Sequence, residues 1–110
     1  MKVKKYNGPD KYHFRFNKKK KHFSVIVDVD SKNKSMSGYS TSTADSKAYD
    51  SRLKKMSVNP NPNDTGNSYI SKQRFTKPEN TFSKPYGNWH LSEEDEKYVD
   101  SLEEKYKKRH

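Results

Sequence analysis

Two runs of residues near the N-terminus constrain the fold of this chain more than any other feature of its sequence. Apolar residues occupy every second position of residues 12–16 and of residues 23–29. This period of two is typical of β-strands that bury one face, and a turn at residues 18–21 would pair them. The register is then Phe16 opposite Phe23, Phe14 opposite Val25 and Tyr12 opposite Val27, with Lys11 across from Asp28 on the other face. Because both patterns agree on this register, the sequence predicts an antiparallel hairpin.

A third strand is predicted after a second turn. Residues 30–34 contain Asp, Ser and Asn, whose side chains bond to nearby backbone and favour turns. Residues 36–43 can then pair with the second strand of the hairpin. The regular register sets Met36 opposite Val29 and Tyr39 opposite Ile26. Tyr39 is therefore expected on the second face of the sheet, beside His13 and Ile26.

The middle of the chain is less regular. Residues 44–56 have helical spacing of their apolar side chains, whereas residues 52–58 also fit a fourth strand; we favour the helix. Residues 57–67 are rich in Asn and Pro and predict a turn-rich loop. Residues 68–75 fit a short strand, and residues 76–91 are expected to be a second irregular segment.

The C-terminal residues 92–109 give the clearest helix signal. Ser92 is followed by a run of acids, as expected of an N-cap and first turn. An apolar stripe follows at helical spacing, formed by Tyr98, Val99, Leu102 and Tyr106. The predicted fold class is α+β. It is a three-stranded antiparallel meander, or a four-stranded one, with the C-terminal helix packed on its apolar face and long irregular loops.

Composition sets further limits. The 110 residues fit one small domain, residues 1–110, with a basic N-terminal arm at residues 1–10. Without cysteine there is no disulfide and no Cys-based zinc site, and the four scattered histidines suggest no metal site and no cofactor. No stretch is apolar enough to cross a membrane, which predicts a cytoplasmic protein. Heavy use of Lys, Asn, Ser and Tyr suggests AT-rich coding DNA, as in low-GC bacteria and their mobile elements.

The positive charge is concentrated at one end of the sequence. The net charge is +10, and residues 1–34 carry 11 basic and 3 acidic side chains. Such charge attracts polyanions, of which nucleic acid, RNA or DNA, is the usual one. The residues expected to contact it are Lys2, Lys4, Lys5, Arg15, Lys18, Lys19, Lys20 and Lys21, with Tyr6, Tyr12 or Tyr39 stacking on bases. Because the turn lysines Lys32 and Lys34 lie at the other end of the second strand, no single compact basic patch is expected.

Two other groups of residues suggest different chemistry. His13, Arg15 and His22 fall on one face of the predicted hairpin, where a metal-independent ribonuclease could use them as acid, base and phosphate-binding cation. Asp28 and Asp30 have the spacing of a Mg²⁺ pair, although a turn-initiating Asp explains them better. A simpler explanation of the His13, Arg15 and His22 group is that residues on a solvent-exposed face of a sheet are usually polar.

The sequence therefore favours a small, non-enzymatic, nucleic-acid-binding accessory protein. An alternative is a protein-binding inhibitor or adaptor that uses Tyr86 and Trp89, since exposed aromatic residues are enriched in interfaces. A loop Trp more often anchors its own segment on the core. The partner in that case would be an acidic protein surface. A small ribonuclease or toxin is the third possibility.

Overall fold

The computed structural model describes residues 11–43 and 50–109. The six strands are β1 (His13–Asn17), β2 (His22–Asp30), β3 (Ser35–Ser42), β4 (Leu53–Lys55), β5 (Tyr69–Ser71) and β6 (Phe75–Pro78). A 3-10 turn covers Glu79–Thr81, and the helix α1 covers Glu93–Arg109. All strand pairs are antiparallel, in the order β1-β2-β3-β5-β4, and β6 also pairs with β3. The α+β class and the C-terminal helix are thus confirmed.

The hairpin formed by β1 and β2 has the register that its sequence predicts. Phe14 pairs with Val25 and Phe16 pairs with Phe23, with the turn at residues 18–21. The pairing ends at His13, so Lys11 does not face Asp28. The Lys11 ammonium instead lies 2.9 Å from the carboxylate of Asp100 on α1.

A β-bulge in β2 overturns the predicted pairing of Tyr39. The register shifts between Ile26 and Asp28, so Val27 is an extra residue in β2. Met36 still pairs with Val29, but Tyr39 pairs with Val25. Tyr39 therefore lies on the same face as Val25 and is buried with only 1% of its surface exposed. A bulge adds one residue to one strand and moves all later side chains to the other face, which alternation alone does not reveal.

Main-chain hydrogen bonds close the sheet on itself. After pairing with β3 through β6, the chain makes the 3-10 turn and then runs along the free edge of β1. There Ser83 N donates to Phe16 O over 2.9 Å, and Tyr86 N donates to Phe14 O over 2.8 Å. The ring β1-β2-β3-β6 thus returns to β1 through residues 82–86. This closure covers the edge of β1, which would otherwise be open to pairing with other chains.

The two faces of the sheet carry separate apolar clusters. On one face Val99 of α1 packs with Phe14, Val25, Tyr39 and other buried side chains. On the other face a smaller cluster forms inside the ring from Ile26, Met36, Phe75 and Phe82. Successive side chains of β2 supply both clusters, because they point to opposite sides of the strand.

The helix α1 begins as its sequence predicts. The hydroxyl of Ser92 accepts a hydrogen bond from Asp95 N over 3.1 Å, which is an N-cap contact. The buried Asp95 carboxylate in turn accepts from Ser57 N over 2.9 Å. Val99 is fully buried, whereas Tyr106, at the end of the predicted stripe, is 36% exposed. The last turns of α1 therefore extend beyond the main core.

Several sequence-based predictions for the middle of the chain are wrong. Residues 53–55 form the strand β4, as the alternative of a strand within residues 52–58 predicts, rather than part of the favoured helix, and residues 44–49 lie outside the described residues. Residues 76–78 belong to β6, so the segment 76–91 is not irregular throughout. The sheet has six strands rather than three or four. The strands β4, β5 and β6 have three or four residues each, too few for a periodic signal.

Candidate nucleic-acid interface

The lysine turn, Lys18–Lys21, is built around the side chain of Asn17. Asn17 is 1% exposed, and its side-chain oxygen accepts hydrogen bonds from the backbone N–H groups of Lys19 and Lys20, each over 3.0 Å. Its main-chain oxygen accepts from Lys21 N over 2.8 Å. One buried amide therefore orders the backbone of the turn, while the lysine side chains remain exposed.

The second turn, Ser31–Lys34, lies near the lysine turn, contrary to the prediction. Glu79 N donates to Lys34 O over 2.8 Å, and Lys18 N donates to Thr81 O over 2.9 Å. Glu79 and Thr81 are the ends of the 3-10 turn, which spans roughly 6 Å, so the backbones of the two lysine-bearing turns come within roughly 12 Å. A straight strand of the length of β2 would hold its ends roughly 26 Å apart. Closure of the ring therefore brings Lys18 and Lys34 closer together than a straight strand would.

These two turns define a basic face, which consists of Lys18–Lys21, Lys32 and Lys34. All six lysines are exposed. Among the described residues, no carboxylate lies within ion-pair distance of any of them. Two acids border the face: Glu79, exposed on the 3-10 turn, and Asp30, whose carboxylate accepts hydrogen bonds from Asn33 at the start of the second turn. The positive charge of this face is thus left largely available to an external anion.

Each turn also contains one lysine whose backbone lies in the left-handed region, which is unfavourable for residues with a side chain. Lys21 has φ of 59° and Lys34 has φ of 52°, in the left-handed region. Gly and Asn adopt this region at lower cost than other residues, which pay roughly 1 kcal/mol or more. Lysine stands at both positions nonetheless.

An aromatic cluster adjoins the lysine turn. It consists of Phe16, Phe23, Tyr86 and Trp89. Trp89 stacks on Phe23 with ring centroids 3.9 Å apart, and Tyr86 meets the edge of Phe23 at 4.9 Å. Tyr86 is 41% exposed, and the other three rings are half-buried. Since the pair Phe16–Phe23 is one step from the turn, exposed ring surface lies beside the lysines.

Other residues expected to contact nucleic acid are not placed to do so. Tyr39 is buried, and its hydroxyl donates to Glu103 over 2.7 Å, so it has no face free for stacking. The hydroxyl of Tyr12 donates to Asp100 on α1. Lys2, Lys4, Lys5 and Tyr6 lie outside the described residues.

Arg15 lies near the basic face, but two nitrogens of its guanidinium already donate hydrogen bonds within the protein. Its Nε donates to the His13 Nε2 over 2.8 Å, and its Nη1 donates to Ser83 O over 3.1 Å. Burial lowers the pKa of Arg15, and the nearby carboxylate of Glu79 opposes this shift. Arg15 therefore joins β1 to the segment that closes the ring.

The histidines proposed for a ribonuclease are not brought together. His13 pairs with Ile26, whereas His22 pairs with Asn17 at the other end of the hairpin. The four steps between these pairs correspond to roughly 13 Å along the strands. Burial and the Arg15 charge lower the pKa of His13, which favours its neutral form. The arrangement therefore pairs His13 with Arg15, whereas His22 lies two residues along β2 from Ser24, the cross-strand partner of Arg15.

The geometry suggests no metal centre in the described part of the chain. Asp30 accepts hydrogen bonds from the backbone and side chain of Asn33, and these bonds lower its pKa. It is thus a turn-initiating residue. Across residues 11–43 and 50–109, no group of three or more His, Asp or Glu side chains could hold a metal ion. The same residues include no helix long and apolar enough to span a bilayer.

Sequence reasoning missed two parts of this site. Alternation alone predicts a straight β2, which separates Lys32 and Lys34 from Lys18–Lys21. The aromatic residues of the hairpin were assigned to the core, whereas Tyr86 and Trp89 were assigned to a different surface. The mixed segment 82–89 carried no strand pattern that would have placed it along β1.

Comparisons with known protein families, with characterised proteins and with solved structures found no match.

Proposed function

We propose that this protein is a small, non-enzymatic nucleic-acid-binding accessory protein whose basic face and aromatic cluster form the contact surface. The observation that carries the proposal is the approach of two lysine-bearing turns to each other, beside partly exposed aromatic rings. Phosphates would bind the lysines, and bases would stack on Tyr86 and its neighbours. The composition further suggests a low-GC bacterium or one of its mobile elements as the source.

The charges support this proposal through the thermodynamics of polyanion binding. Each phosphate neutralised by a lysine releases condensed counterions, which favours binding at low salt. The six lysines of the basic face have no carboxylate partner among the described residues, so binding would not require breaking an internal ion pair. Placing lysine at two left-handed positions costs stability, which is typical of residues retained for function.

The aromatic cluster favours a single strand over a duplex. Bases are free to stack on protein rings only when they are not stacked within a duplex, and each such contact is worth roughly 1–3 kcal/mol. Tyr86 has the most exposed ring of the cluster. We therefore infer that single-stranded RNA or DNA is the preferred ligand class.

Fluorescence anisotropy titrations with labelled single-stranded RNA, single-stranded DNA and duplex DNA test the proposal. The test variant is Lys19→Gln with Lys20→Gln, which leaves the left-handed Lys21 unchanged. The control is Lys107→Gln with Lys108→Gln, which removes the same charge from the exposed end of α1. We expect the test variant to bind single strands about tenfold more weakly near physiological salt, and the control to change affinity by less than about twofold.

Two results would refute the proposal. One is failure of the wild-type protein to bind any of these nucleic acids at low salt. The other is an equal loss of affinity in both variants, because that would mean that net charge rather than the basic face determines binding. Circular dichroism spectra would verify that both variants remain folded.

A protein partner is the second candidate, and the exposure of Tyr86 beside Trp89 favours it. Aromatic residues with basic neighbours suit an acidic protein surface. Trp89 stacks on Phe23 and contacts Phe14 at a tilt, which agrees with an anchoring role for Trp89, so Tyr86 would be the main contact. Pull-down from lysate before and after nuclease treatment separates the two. Partners lost with nuclease indicate nucleic acid, and stoichiometric partners that persist indicate this alternative.

A further inference from the structure

A second group of cations converges at the C-terminal end of α1. A groove with a volume of about 510 Å³ lies between the β5–β6 connection and the last turns of the helix. We call it the C-terminal groove, and its charged and polar lining is Lys72, Gln73, Arg74, Lys105, Tyr106 and Arg109. None of these residues belongs to the basic face or to the aromatic cluster.

The balance of charge in the groove is strongly positive. None of the described residues that line it is acidic. The nearest carboxylate is Glu103, which is buried and accepts hydrogen bonds from the Tyr39 hydroxyl over 2.7 Å and from Arg74 Nε over 2.8 Å. Glu103 therefore neutralises the charge of Arg74 and of no other cation in the groove. Lys72, Lys105 and Arg109 have no ion-pair partner among the described residues.

Arg74 is held rigidly with part of its guanidinium unused. Its Nε and Nη2 donate to the two oxygens of Glu103 over 2.8 and 3.2 Å. Its guanidinium carbon lies 3.9 Å from the centroid of the Tyr106 ring, which fixes the plane of the group. Nη1 has no hydrogen-bond partner among the described residues. A guanidinium oriented in this way is well suited to bind an oxyanion.

The helix dipole does not account for this arrangement. Cations in the last turn of a helix complement its partial negative charge, which explains Lys105 and Arg109 on their own. Lys72 and Arg74 belong to a different segment, the link between β5 and β6. Like charges brought together from two elements repel one another, and a bound anion would offset that repulsion.

We propose that the C-terminal groove binds a phosphate group, either as inorganic phosphate or as a phosphodiester of a nucleic acid. Arg74 Nη1, Lys105 and Arg109 supply donors, and Lys72 adds the N–H groups that its hydrogen bond to Ser51 O, over 2.9 Å, leaves over. This site does not depend on the function proposed above, because it shares no residue with the basic face.

The test is NMR titration of the ¹⁵N-labelled protein, following the backbone amides of the groove and, separately, those of the lysine turn. One arm uses millimolar inorganic phosphate and the other uses a short single-stranded oligonucleotide. The test variant is Lys105→Gln with Arg109→Gln. Its matched control is Lys107→Gln with Lys108→Gln, which removes the same charge from the same end of α1 but outside the groove.

We expect inorganic phosphate to shift the amides of Lys72, Gln73, Lys105 and Arg109. The test variant should weaken that binding by about tenfold, and the control should leave it unchanged. If the oligonucleotide shifts the same amides, the natural source of the phosphate is a nucleic acid; if phosphate alone does so, it is a small phosphate-bearing molecule. The absence of shifts at the groove in both arms, or equal weakening in both variants, would overturn the proposal, whatever the lysine turn does.

Discussion

At the scale of single residues, the hydrogen bond between His13 and Arg15 makes the stability of the protein depend on pH. Its Nε2 accepts the Arg15 hydrogen bond, so protonation of the ring there would destroy the contact and place two cations together. Burial, followed by the Arg15 charge, lowers the pKa of His13 below the usual 6.5. A histidine whose pKa is lowered in the folded state contributes stability above its unfolded pKa of 6.5 and loses that contribution as the pH falls from 6.5 through the lowered folded pKa.

We therefore predict that the free energy of unfolding decreases between neutral pH and mildly acidic pH because of His13. Urea unfolding across this range should show a smaller decrease in His13→Gln, whose side-chain oxygen can still accept from Arg15. An NMR titration of the imidazole measures the pKa directly. A His13 that titrates at or above 6.5 would contradict the assigned contact.

Lys21 is a position where stability and function are expected to compete. Its φ of 59° suits glycine, which pays no side-chain cost in the left-handed region. We predict that Lys21→Gly leaves the free energy of unfolding unchanged or raises it by up to about 1 kcal/mol. The same change should weaken nucleic-acid binding, because it removes one cation of the basic face. Thermal unfolding and anisotropy measure the two effects, and destabilisation together with unchanged affinity would argue against this role for Lys21.

At the scale of elements, the two turns that carry the lysines differ in how they are held. Asn17 is buried and bonds to three backbone groups of the lysine turn, whereas Asn33 in the second turn is exposed and bonds to Asp30. We predict that Asn17→Ala lowers the free energy of unfolding by about 1–3 kcal/mol, because the hydrogen bonds from Lys19 N and Lys20 N to its side chain are lost, each worth roughly 0.5–1.5 kcal/mol.

The control for this prediction is Asn33→Ala. It should lower the free energy of unfolding by only about 0.5 kcal/mol or less, since the partners of Asn33 are exposed to water. Urea unfolding of both variants makes the comparison. Asn17→Ala should also weaken binding to single strands, because the turn that presents the lysines is no longer ordered. Equal and small effects of the two substitutions would show that Asn17 does not organise the turn.

Elements with a strong periodic pattern could be predicted from the sequence, and short or bent ones could not. The register of Phe14 and Phe16 follows from alternation, and the start of α1 follows from Ser92 and the acids after it. The pattern of apolar residues predicts the wrong face for Tyr39, because it carries no signature of the bulge at Val27. The strand β4 carries only three residues, and its pairing with β5 depends on distant contacts rather than on local preference.

The residues of the candidate site can be identified from the sequence, but their proximity in the fold cannot. The sequence identifies the lysines of both turns and the aromatic residues Tyr86 and Trp89 as unusual. Their proximity results from the bent β2 and from the segment 82–86, which adds to the edge of β1. Such closure arises from main-chain hydrogen bonds between residues far apart in sequence, and no residue type encodes it locally.

At the scale of the whole molecule, positive charge is distributed over two surfaces of different character. The basic face consists of exposed lysine side chains and borders aromatic rings, whereas the C-terminal groove holds Arg74 against Glu103 and Tyr106. The first suits a polymer that binds through many weak contacts, and the second suits one phosphate group. A protein of this size could use both on one strand.

The salt dependence of binding to single-stranded nucleic acid tests most directly whether the basic face contacts phosphates. If the lysines of the face neutralise four to six phosphates, the logarithm of the association constant should fall against the logarithm of salt concentration with a slope of about −3 to −4. The variant Lys19→Gln with Lys20→Gln should make this slope shallower by about 1.4. A wild-type slope near zero, or a slope that this variant leaves unchanged, would contradict the account.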